Sequence, residues 1–110
     1  MSILHKDLTR ERWEQMPFVE QMANIGSEVE RALNWRKKQN VEYARKAFER
    51  ALDLIDLSLS ADTTLARLKE LARVRETVVD HFFGTNEFVS TEASLRKYFL
   101  HFVYAARKNY

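Results

Sequence analysis

The stretch Ser27–Leu57, SEVERALNWRKKQNVEYARKAFERALDLIDL, decides the fold, because two runs of helical apolar spacing flank one polar break, RKKQN, at Arg36–Asn40. Before the break, Phe18, Met22, Ile25, Val29 and Ala32 or Leu33 recur three and four residues apart and define one apolar stripe. After it, Ala44, Ala47, Phe48, Ala51, Leu52, Ile55 and Leu59 do the same. Pro17 suits a helix first turn, where its missing N–H has no partner to lose, and Asn40 is placed to cap the second helix. So short a connection predicts an antiparallel pair.

Outward from this hairpin the same pattern continues. Leu8–Met16, LTRERWEQM, can form a short helix capped by Thr9, with Trp13 docked on the rest. The break SLSADTT, Ser58–Thr64, offers Ser60 or Asp62 as cap for a third long helix. Its apolar positions are Leu65, Leu68, Leu71, Ala72, Val78, Val79 and Phe82, and it ends at Gly84, the residue type expected just past a helix end. After the loop GTNEFVSTE, Ser90 with Glu92 behind it opens a fourth helix presenting Leu95, Tyr98, Phe99, Phe102, Val103 and Ala106. Gly26, inside the first stripe, costs helix stability relative to alanine and signals the close passage of another backbone.

Two glycines, one proline and abundant Leu, Ala, Glu, Lys and Arg favour long helices with short loops, and no stretch sustains strand alternation. The expectation is an all-α antiparallel four-helix bundle with a short extra N-terminal helix. Its 110 residues form a single domain over 1–110, with 1–16 as a loosely attached segment. The absence of cysteine excludes disulfides, thiolate metal sites and cysteine nucleophiles, and fits a reducing compartment, the cytoplasm by default. No window approaches the roughly 18 apolar residues of a membrane span, so no membrane partner is expected.

The net charge of +2, from 18 basic and 16 acidic residues that mostly alternate, is that of solvated helical faces rather than of a nucleic-acid binder. The exception is the C-terminal segment, where Arg96, Lys97, Arg107 and Lys108 follow Glu92 with no further acidic residue. They form a local basic patch or simply complement a helix dipole. Aromatic residues in excess of what four stripes bury, such as Trp35, Tyr104 and Tyr110, leave surface for a partner, and a homodimer is expected.

The stretch RVRETVVDHFFG, Arg73–Gly84, holds the candidate chemistry. Arg75 falls inside the stripe of the third helix, so it requires a partner, for which Asp53 and Asp56 are the candidates, because an unpaired buried charge costs several kcal/mol. His81 lies roughly 120° further round the helix and flanks the stripe. Arg73, Glu76 and Asp80 complete a polar cluster, the candidate binding residues. Read structurally, Arg75 makes an internal salt bridge and His81 sits charged near a helix end. Read functionally, the two meet at a groove, arginine holding phosphate and histidine supplying acid or base chemistry.

The hairpin together with an arginine and, six residues on, a histidine resembles the HEPN superfamily of small helical bundles over roughly residues 25 to 83. That resemblance implies Arg75 and His81 as a metal-independent ribonuclease pair acting across a dimer, with RNA as substrate and no cofactor. Two positions depart from the pattern: Glu76 stands where asparagine or aspartate is usual, and Phe83 where a tyrosine often follows. A glutamate there would repel phosphate. The chain also resembles small prokaryotic helical proteins with no assigned function. Glycine-rich phosphate loops and the H-E-x-x-H zinc signature are absent, and His5, His81 and His101 are widely separated. The favoured reading is a non-catalytic, dimeric binding module with a protein partner; the alternative is the ribonuclease.

Overall fold

The computed structural model describes residues 10–61, 64–87 and 89–108. All regular structure among them is helical: α1 (Arg10–Gln15), α2 (Phe18–Lys37), α3 (Val41–Ala61), α4 (Leu65–Phe83) and α5 (Glu92–Lys108). Among the described residues no helix is long and apolar enough to cross a membrane.

The expected stripes form the core. Met22, Ile25, Val29, Ala32 and Leu33 of α2 are buried against Ala47, Phe48, Ala51 and Ile55 of α3, and Leu95 and Phe99 of α5 close one side. Leu54 of α3 is buried too, because α3 packs against α1, α2 and α4 and so hides a wider arc than one stripe. In α4 the buried positions are Leu71, Val74 and Val78, a spacing of three and four that runs through Val74. Ala72 is exposed and Arg75 half-exposed, so the expected placement of Arg75 inside the stripe is overturned: the buried face is rotated by one residue.

The caps explain where the helices stop. At the end of α2, Gln39 takes a left-handed backbone (φ 62°), and the Asn40 N–H bonds the Trp35 carbonyl at 2.9 Å, a Schellman-type closure without glycine. The Asn40 side chain then accepts the Tyr43 N–H at 3.1 Å, as expected of the α3 cap, so one residue ends one helix and starts the next. Trp35 and Tyr43 stack edge-on across this turn, 4.9 Å between centroids, so Trp35 is packed rather than left over. Ser60 does not cap α4; it lies in the last turn of α3 with its hydroxyl on the Leu57 carbonyl, and Thr64 precedes α4. Thr9, Asp62 and Tyr110 lie outside the described residues. Gly84 follows α4 as expected, its N–H bonding the Val79 and Asp80 carbonyls. The α5 cap is Thr91 rather than Ser90, by reciprocal bonds: Thr91 Oγ1 accepts the Ser94 N–H at 2.9 Å and Ser94 Oγ accepts the Thr91 N–H at 2.8 Å.

α1 is anchored through Trp13, fully buried, whose indole N–H donates to Ser58 Oγ at 2.8 Å; Ser58 in turn donates to the Leu54 carbonyl. A buried indole needs such an acceptor. Gln21 of α2 fixes the same helix by donating to the Trp13 carbonyl at 2.7 Å.

Gly26 lies against α5. A Cβ there would sit 2.7 Å from Phe99 Cβ and 2.9 Å from its Cγ, so what comes close is a side chain of α5 rather than the expected backbone. Those are atoms at the root of the Phe99 side chain and cannot swing aside. Gly26→Ala is therefore expected to destabilise the protein, because overpacking costs about 1–3 kcal/mol against a helix-propensity gain of about 1 kcal/mol. Thermal melts followed by circular dichroism check the sign; a raised Tm would show that α5 adjusts freely.

Candidate functional site

The polar cluster at the end of α4 is organised around His81, with partners from α2 and from the loop before α5. Arg36, in the last turn of α2, brings Nη2 to 2.8 Å from His81 Nε2. Ser90, in the loop before α5, lies with Oγ 3.0 Å from His81 Nδ1. Arginine can only donate, so Nε2 accepts, the ring proton resides on Nδ1, and His81 donates to Ser90 Oγ. Ser90 passes its own hydroxyl proton to Asn86 Oδ1 at 3.1 Å. Every group in the chain from Arg36 to Asn86 then has one consistent role.

This requires a neutral imidazole, and the surroundings favour one. Partial burial lowers the His81 pKa from its ordinary value, and the facing Arg36 cation lowers it further; the Ser90 backbone, Glu92 and Asp80 oppose them without prevailing. The expectation of a charged histidine at a helix end is thus reversed. The guanidinium of Arg36 also lies 4.6 Å from the centre of the Phe82 ring and 3.6 Å from Glu92. Glu92 reaches Arg96 at 3.5 Å, and Arg96 binds Glu30 at 2.9 Å and the Asn34 side chain at 3.0 Å. One continuous network therefore ties the ends of α2, α4 and α5.

The loop between α4 and α5 is held by this network at a conformational cost. Asn86 bonds Ser90 three times, accepting from its N–H and hydroxyl and donating to its carbonyl. Asp80 accepts the Glu87 N–H at 2.8 Å. Asn86 and Val89 both adopt left-handed backbone, φ 59° and 51°. Asparagine tolerates this region; a β-branched valine does not.

Arg75 stands apart from His81. Its Nε lies 2.7 Å from Asp56 Oδ1 and its Nη2 3.4 Å from Oδ2, so Asp56 of the two candidates takes it. The bond to Asp56 raises the arginine's already high pKa. Both side chains are substantially exposed, 41% and 50%, so the pair lies on the rim of the α3–α4 contact rather than in the core. Arg73 and Glu76 are exposed on α4, and Arg73 borders a small cleft of about 100 Å³ with Thr77, Ser94 and Tyr98. Beside that cleft Tyr98 donates to Glu70, and burial and this carboxylate push the phenol pKa up. Among the described residues no group of three or more His, Asp or Glu side chains could hold a metal ion.

Arg36, Ser90 and Asn86 were not legible as site residues. Arg36 belongs to the polar break and lies 45 positions from His81, and no periodicity reports such a contact. Comparison with known protein families, curated proteins and solved structures finds no match to this chain.

Two outcomes follow. The unfolded chain's histidine titrates near 6.5 and the folded His81 lower, so below pH of about 6.5 the unfolded state binds the extra proton. The stability from a neutral His81 is present above that pH and is lost as pH falls through the lowered pKa. His81→Gln should flatten the decline in Tm between about pH 7 and 5.5; parallel curves for the two proteins would refute the neutral assignment. Arg75→Ala should cost less than about 1 kcal/mol, as for other exposed pairs, measured by urea unfolding; several kcal/mol would mean that the pair is desolvated in solution.

Proposed function

We propose that the chain is a non-catalytic helical binding module that acts as a homodimer, its four long helices forming an antiparallel bundle with α1 as an extra N-terminal helix. The bundle arrangement is supported by contacts that run in opposite senses: Phe48 with Phe82 and Asp56 with Arg75 between α3 and α4, Glu30 with Arg96 and Phe18 with Phe102 between α2 and α5. The absence of catalysis rests on one observation. The functional atoms of Arg75 and His81 are each bonded to separate internal partners, Asp56 for one, Arg36 and Ser90 for the other. A phosphate bound at Arg75 would have to displace a two-point carboxylate contact, and His81 Nε2 meets a guanidinium where a base would need its substrate.

Self-association is supported by exposed apolar side chains. Val41, which opens α3, and Phe83, which closes α4, are brought to one end by the Phe48–Phe83 ring contact, and both are more than half exposed. Arg73 and Glu76 offer opposite charges on the exposed face of α4 to a protein partner.

The test is incubation of the purified protein with labelled RNA in excess chelator beside His81→Ala, together with a mass by light scattering. The expected result is intact RNA with both proteins, a dimer mass, and a shift to monomer in Phe83→Glu. Cleavage lost in a folded His81→Ala protein would instead assign the metal-independent ribonuclease with Arg75 and His81.

A further inference from the structure

A groove of about 770 Å³ lies between α2 and α5. Its floor is apolar, formed by Gly26, Val29 and Leu33 of α2 and by Leu95, Phe99 and Val103 of α5. At its floor Phe99 packs directly against Gly26, where a Cβ would sit 2.7 Å from Phe99 Cβ. Leu100 forms one wall and is 48% exposed, an apolar side chain with a wet flank.

The rim is charged, and its balance is positive. Glu30 is bound by Arg96 at 2.9 Å, which neutralises the acidic member of the rim. Arg31, exposed on the lining, is paired with the buried Glu28 at 3.3 Å, so the surplus cation of the lining is Lys97, also exposed. Beyond the groove the outward stripe of α5 continues as Leu100, Tyr104 and then Arg107 and Lys108, three and four residues apart, with His101 beside it and no acidic residue after Glu92. Lys97 to Lys108 spans about three helical turns, roughly 17 Å at 1.5 Å per residue.

From this pairing of an apolar trough with a stripe of cations along α5, we propose that the α2–α5 groove docks an acidic amphipathic helix of a partner protein. Apolar residues at i, i+3, i+4 and i+7 of that helix fill the trough over Phe99 and Leu100. Its flanking carboxylates meet Lys97 and the cations at the end of α5. A second copy of this chain fits less well, since symmetric pairing would set these cations against themselves. Nucleic acid would leave the apolar floor unused. The proposal rests on the binding-module reading and names the partner's chemistry.

The experiment uses the full chain and a fluorescein-labelled amphipathic peptide of about 16 residues with a leucine stripe and flanking glutamates, beside a twin with lysines in their place. Fluorescence anisotropy should give at least about tenfold tighter binding of the acidic peptide, weakening as salt rises. Leu100→Glu, at an exposed position, should lose about tenfold or more while its melting curve is unchanged, and Lys97→Glu should narrow the preference between the twins. Equal binding of the two peptides, or none, would overturn the proposal. So would conversion of a dimer to monomer by Leu100→Glu, which would make a second copy the occupant, or capture by anionic vesicles without peptide binding. RNA cleavage would strike the reading underneath, whereas inert RNA with no peptide binding removes the docking site alone.

Discussion

Phe99 reaches into the space that any side chain at residue 26 would occupy, and this contact sets where α5 lies. Much else follows from that position. With α5 so seated, Arg96 reaches Glu30 and Asn34, and Glu92 reaches Arg36 at the same Nη2 that meets His81. The packing supplies the energy, since a buried aromatic is worth about 1.5–3 kcal/mol, whereas a half-exposed ion pair contributes about 0–1 kcal/mol. The ion pairs act as register marks. They select the one rotation and height of α5 at which four charged groups all find partners.

The sequence made the helices legible and the chemistry hard to read, for a physical reason. Helix stripes, the Asn40 cap and the Gly84 stop depend on neighbours three or four residues away, which periodicity reports directly. The rotation of α4 was misjudged because Val74 and Arg75 are adjacent, and a stripe wide enough to include Leu71, Ala72, Val78 and Val79 fits either face. Which face wins depends on α3, where Asp56 stands at the rim to receive the arginine. Polar burial was missed for a related reason: Ser58 and Gln21 are buried because Trp13 needs an acceptor for its indole and a donor for its carbonyl, and that demand arises 45 and 8 residues away.

The candidate site illustrates how little a residue pair says without its surroundings. Arginine and histidine six apart could serve phosphate chemistry, yet here each is turned to a different neighbour, and Arg36 stands in front of His81. Burial and the facing Arg36 cation both lower the histidine's pKa and so disfavour its charged form. What the surface offers outside this network is shape and charge: an apolar trough, a basic margin, and a few exposed rings.

The turn between α2 and α3 has a further consequence. Three residues, 38–40, close it, and Asn40 serves both helices, its N–H ending one and its side chain starting the other. Everything the turn needs is encoded within a few positions, so the hairpin closes a short loop at small entropic cost. Contacts of α5 are another matter, since Glu30 and Arg96 are 66 positions apart. Local pairs form ahead of distant ones when a chain collapses, which makes α2–α3 the early unit and α5 the late arrival. The hairpin is also the most densely packed pair of helices, so its amides should be the slowest to exchange with solvent.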